Sequence, residues 1–186
     1  MKNLIIHPED NSTTFLKPIY KQASNQNVIE RNANPEQIAE AIGRSDRIMM
    51  MGHGSPAGLF SVRMFSGVGR GRWSWLAIGK NETELLKASD QNIYIWCNAN
   101  KFVEAHDLKG FYSGMFISEV GEARFCGVNE ATQEMVNESN DTFSAIVGKY
   151  IKLPVAELYE NVMEEYGELA KTNPVARYNH QRLYLR

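Results

Sequence analysis

The sequence predicts an α/β domain, a three-layer αβα sandwich with a mostly parallel sheet, and three observations lead there. Short unbroken apolar runs recur, at Leu4-Ile5-Ile6, Ile48-Met49-Met50-Met51 and Ile93-Tyr94-Ile95-Trp96, as strands covered on both faces require. Capped amphipathic segments lie between them, the alternation of a sheet wrapped by helices. The 186 residues, 43% of them apolar, suffice for one core, and no linker, repeat or composition break divides residues 1–186.

The first run ends in the polar turn cluster His7-Pro8-Glu9-Asp10-Asn11, and Phe15, Leu16 and Ile19 then fall at helical spacing from Thr13 to Tyr20, with Pro18 working against the helix. Asn34-Pro35-Glu36-Gln37 combines a capping asparagine, a proline at the first helical position and a capping-box glutamine, so a helix starts there and buries Ile38, Ala41 and Ile42. Gly43 can end it, and the strand Arg47–Met51 runs into Gly52-His53-Gly54-Ser55. Asn81-Glu82-Thr83-Glu84 opens a short helix through Leu85 and Leu86, and the strand Asn92–Trp96 delivers Cys97. Phe111–Ile117 reads as a further strand. A helix capped by Asn129 is expected to reach Val147, burying Met135, Val136, Phe143 and Ile146. Another opens at Pro154, with Val155, Leu158, Val162, Tyr166 and Leu169 on one face, and Arg182–Leu185 can add an edge strand.

In a parallel sheet, ligands sit outside the carboxyl ends of the strands, which is where His53 and Cys97 fall. An imidazole suits a general base and a thiol suits a nucleophile, and the base raises the small thiolate fraction present at neutral pH. Gly54, without a side chain, lets its amide approach a carbonyl oxygen. The blocks Ile48–Gly54 and Ile93–Cys97, with His53 and Cys97 44 residues apart, resemble the caspase-like cysteine peptidases, a group that includes caspases, legumain, gingipains, separase and bacterial CHAT-type domains. Members carry an apolar strand ending in His-Gly and a later one ending in Cys.

That resemblance implies a caspase-like fold, His53 as proton shuttle, Cys97 as nucleophile, the amides of Gly54 and Cys97 as oxyanion donors, and hydrolysis of a peptide or related acyl bond without a cofactor. The partner is then a peptide or protein substrate. Trp96 stands where many members have a small residue, and Asn98–Lys101 matches no defined substrate pocket. The alternative is a non-catalytic binding or regulatory domain of the same fold.

Ser113, Ser118, Glu119 and Glu122 follow the next strand end and can line the same cleft, the carboxylates favouring a basic substrate group; equally, Ser118 and Glu119 can cap a helix. Gly67–Arg72 exposes glycine amides beside two arginines and is a candidate phosphate cradle, although it lacks the Lys-Ser/Thr ending of a P-loop. Cys126 reads as structural. His7, His53, His106 and His180 are dispersed and the cysteines lack zinc-type spacing, so no metal site is expected. With 23% charged residues, a net charge of −2, no long charge run and no apolar stretch of membrane-spanning length, neither nucleic acid nor a membrane is an expected partner. Two cysteines in unlike contexts point to a reducing compartment and a cytoplasmic protein.

Overall fold

The computed structural model describes residues 1–31, 34–62 and 76–186. The elements, in chain order, begin with β1 (Asn3–Ile6), a 3₁₀ turn (Asn11–Leu16), α1 (Lys17–Lys21), β2 (Gln26–Ile29), α2 (Pro35–Gly43) and β3 (Arg47–Met51). Next come β4 (Gly54–Ser55), β5 (Gly58–Phe60), β6 (Leu76–Ile78), a 3₁₀ turn (Lys80–Glu82), α3 (Thr83–Leu86), β7 (Ile93–Ile95) and α4 (Ala99–Ala105). The chain then runs through β8 (Phe111–Ser113), α5 (Val120–Phe125), α6 (Gln133–Tyr150), α7 (Val155–Ala170), α8 (Pro174–His180) and β9 (Leu183–Leu185).

Six strands form one sheet in the order β2-β1-β3-β7-β8-β9, and all neighbours are parallel except β9, which closes the β8 edge antiparallel. Alternate residues of the central strands supply two separate cores. Ile5, Met49, Met51, Ile93, Ile95 and Phe111 pack beneath α1, α6, α7 and α8, with Phe143, Leu158, Val162 and Tyr166. On the opposite face Leu4, Ile6, Ile48, Met50, Tyr94 and Trp96 meet Ile38 and Ile42 of α2, Leu86 of α3 and Phe102 and Val103 of α4. Helices therefore cover both faces of a mainly parallel mixed sheet, the α/β class expected.

Several boundaries differ from the expectation for local reasons. The Thr13–Tyr20 helix is a 3₁₀ turn capped by Asp10 that passes into α1, where Pro18 stands in the first turn and its missing N–H costs nothing. β8 stops at Ser113, although Phe116 and Ile117 stay buried, and the Gly114 amide continues the pairing with β9 by one bond, to the Arg182 carbonyl at 2.7 Å. The Asn129 cap is displaced to Thr132, whose Oγ1 accepts from the Met135 amide, and α6 runs on to Tyr150. The antiparallel β4-β5-β6 sheet and α4 were not legible, while the edge strand at Arg182–Leu185 is present as β9.

Candidate functional site

Met51 pairs with Ile95 across β3 and β7, and the Gly52 amide extends the ladder to the Ile95 carbonyl at 3.0 Å. His53 and Cys97 each follow those paired residues by two positions in the chain, just beyond the carboxyl ends of two adjacent parallel strands. Gly52, with φ +137°, turns the chain out of β3 through a region that side chains rarely tolerate. Gly54 is required for a different reason, since a Cβ there would lie 2.2 Å from Trp96 Cδ1. Trp96, bulky where the resemblance calls for a small residue, is buried and seats the β4-β5 hairpin through an Nε1–H bond to the Ser55 carbonyl at 3.1 Å.

Cys97 lies in a tight strand-to-helix turn that Asn98 completes in the left-handed region (φ 66°, ψ 29°), which asparagine enters at low cost. The Cys97 amide has no hydrogen-bond partner among the described residues. Gly54 opposes Leu59 beside the Phe60-to-His53 backbone bond, so its amide points away from β5. The Gly54 amide therefore faces away from the β4-β5 ladder.

The two side chains have different partners. His53 Nε2 lies 2.7 Å from Ser12 Oγ and 3.3 Å from Asp10 Oδ1, and the Ser12 hydroxyl and amide both donate to Asp10 Oδ1, at 2.5 and 2.9 Å. With the serine proton committed to Asp10, the short Ser12–His53 contact requires Nε2–H to be the donor. This is the reverse of an activated serine, whose hydroxyl would donate to the ring. The Ser12 hydrogen bonds, with the nearby His53, hold the Asp10 carboxyl below its usual range.

The partly buried Cys97 thiol donates to the Phe116 carbonyl at 3.5 Å, and burial, then the Glu122 carboxylate, push its pKa up to about 11. Glu122 Oε2 accepts from the Ser118 amide and hydroxyl and from the Glu119 amide, so it organises the entry to α5. Ser118 and Glu119 border an open cavity that Ser12 also lines. Ser113 does not reach the cleft, contrary to expectation: it is fully buried and bonds the backbone of Trp96 through its hydroxyl, as acceptor at 3.1 Å and donor at 2.9 Å.

Asp10 and Ser12 are the partners of His53 that sequence reasoning missed. They follow β1, the neighbour of β3, so the carboxyl-end rule applied to that strand was the signal. Cys126 is a free thiol ending α5, beside the third hydrophobic cluster. The phosphate-cradle segment Gly67–Arg72 lies outside the described residues. Among the described residues no group of three or more His, Cys, Asp or Glu is placed to hold a metal ion, and no helix is long and apolar enough to cross a membrane.

A second histidine underlies the site. His7 is buried between Tyr20 Oη (3.0 Å) and Thr13 Oγ1 (3.1 Å), and burial first, then Lys17, lower its pKa to about 4. Its folded value lies below the unfolded one, so its contribution to stability is full above about pH 6.5 and is lost as the pH falls towards 4. Urea unfolding should lose up to about 3 kcal/mol over that window through this group, and His7→Gln should remove that part of the loss. Equal acid sensitivity in both proteins would show that His7 is not responsible.

Comparison with protein-family models, with curated proteins and with solved structures finds no match for this chain.

Proposed function

We propose that the protein is a caspase-like cysteine hydrolase acting on a peptide or related acyl bond, with Cys97 as nucleophile and His53 as proton shuttle. The observation that supports this reading is the register of β3 and β7, in which Met51 pairs with Ile95, so that His53 and Cys97 each stand two residues beyond the ends of adjacent parallel strands. His53 Nδ1 takes the thiol proton, and Asp10, through Ser12, stabilises the imidazolium that results. The thiolate adds to the acyl carbon, and the amides of Gly54 and Cys97 receive the oxyanion. The imidazolium protonates the departing amine as the carbon–nitrogen bond breaks, and water, deprotonated by His53, then cleaves the thioester.

A second reading, a non-catalytic binding domain of the same fold, is favoured by one observation: the resting thiol is protonated and donates to Phe116. Peptidyl acyloxymethyl ketones separate the two. The hydrolase reading expects intact-mass labelling at Cys97, slowed about a hundredfold by His53→Ala, within the range for loss of a general acid–base. Labelling that is indifferent to His53 in a variant that remains folded would leave the binding domain.

A further inference from the structure

We infer that Asn179 is a positioning residue for Cys97: it clamps the peptide group between Phe116 and Ile117, whose carbonyl then holds the thiol in its protonated form. The part this thiol plays in a reaction rests on the cysteine-hydrolase reading. The two ends of that peptide group meet different partners. Its carbonyl oxygen, on Phe116, accepts from the Cys97 thiol at 3.5 Å, and its N–H, on Ile117, donates to Asn179 Oδ1 at 2.7 Å. Asn179 Nδ2 donates in turn to the Ile117 carbonyl at 2.9 Å, so one side-chain amide satisfies both backbone groups of Ile117 as a neighbouring strand would. Asn179 and Ile117 are both fully buried, so these bonds have no solvent to replace them.

A peptide group that donates through its N–H becomes a stronger acceptor at its carbonyl, so the bond from Ile117 to Asn179 strengthens the one that Phe116 accepts from Cys97. A carbonyl oxygen can accept from a thiol but has nothing to offer a thiolate, so this bond favours the protonated form. Asn179 is itself held in place. Its Nδ2 also lies 3.4 Å from Ser139 Oγ, which bonds Tyr166 Oη at 2.7 Å, so α6, α7 and α8 together fix the amide. The backbone around Cys97 is pinned by the same exit from β8: the Ser113 hydroxyl brackets Trp96, and the Asn98 amide donates to the Gly114 carbonyl at 3.0 Å. The thiol has one proton, which can pass to His53 only after the bond to Phe116 is given up. The hold that Asn179 keeps on that peptide group therefore sets how readily Cys97 is activated.

Asn179→Leu, close in size and without polar side-chain atoms, removes the clamp. In a Cys126→Ser background, iodoacetamide should alkylate Cys97 of this variant about fivefold faster at pH 8, the size of one neutral hydrogen bond, and the infrared S–H stretch of Cys97 should move to higher frequency. Asn179→Asp keeps an acceptor for the Ile117 amide, and Tyr166→Phe disturbs the same buried network without touching Ile117. Neither should accelerate alkylation, although both should lower stability to urea. Acceleration by all of these changes alike would reveal a loss of packing and overturn the role of Asn179, as would an unchanged rate and S–H band in Asn179→Leu. Should that variant not fold, the reciprocal measurement decides: in ¹H–¹⁵N spectra the Ile117 amide proton should move upfield in Cys97→Ala and downfield in Cys97→Ser, a stronger donor. An unmoved resonance in both would overturn the proposal. No labelling of wild-type Cys97 by peptidyl acyloxymethyl ketones, with the effects of Asn179→Leu present, would sink the hydrolase reading and keep the hold of Asn179 on the thiol. Labelling of the wild type without those effects would do the opposite.

Discussion

Trp96→Ala is expected to destabilise the protein by about 3–5 kcal/mol, the range for truncating a large buried aromatic side chain. The indole is 1% exposed, with its ring centroid 5.8 Å from Tyr94 and 5.6 Å from Phe102, so its removal opens a cavity in the core that joins β7 to α4. It also removes the Nε1–H donor to Ser55 and the wall against which Gly54 is packed. Trp96→Phe keeps much of the ring and loses the hydrogen bond, and should cost less. Urea unfolding of the three proteins checks the order, and an alanine variant within 1 kcal/mol of wild type would contradict this account of the core. The consequence reaches the site, because the residue before Cys97 also fixes the hairpin that follows His53.

That coupling shows what the sequence could and could not disclose. β3 and β7 were legible because both of their faces are buried, which demands the continuous runs Ile48–Met51 and Ile93–Trp96. β2 was not, because Gln26-Asn27-Val28-Ile29 is a largely exposed edge strand without an apolar signature. The strands of the β4-β5-β6 sheet have only two or three residues each, too few for a period to show. α4 escaped because Asn98 starts it from a left-handed turn without a side-chain cap, so neither a capping box nor a proline announces it.

For the site, the His53 and Cys97 strand ends could be read locally, whereas their hydrogen-bond partners could not. Asp10 and Ser12 reach His53 only because β1 lies next to β3 in the sheet, and a polar turn cluster in sequence does not say which strand it will face.

Alkylation of Cys97 by iodoacetamide in a Cys126→Ser background should be about a hundredfold slower at pH 8 than that of an ordinary peptide thiol. A thiol raised from 9.0 to about 11 has roughly two decades less thiolate below its ordinary range. The rate should climb nearly tenfold per pH unit up to about pH 10, and His53→Ala should leave it unchanged, because the resting imidazole is engaged by Ser12 and Asp10. Glu122→Gln should speed the reaction, since it removes the carboxylate charge while retaining an acceptor for the Ser118 and Glu119 amides. Fast alkylation with a plateau near neutral pH would instead show that the thiolate is already formed in the free protein, and would overturn the resting arrangement described here. Slow alkylation by iodoacetamide together with fast, His53-dependent capture of a peptidyl electrophile would mean that the thiol proton moves to Nδ1 only when an acyl group occupies the cleft. In that case the Cys97–Phe116 hydrogen bond holds the nucleophile protonated until substrate arrives, and the protein is a hydrolase whose reactivity is created by binding.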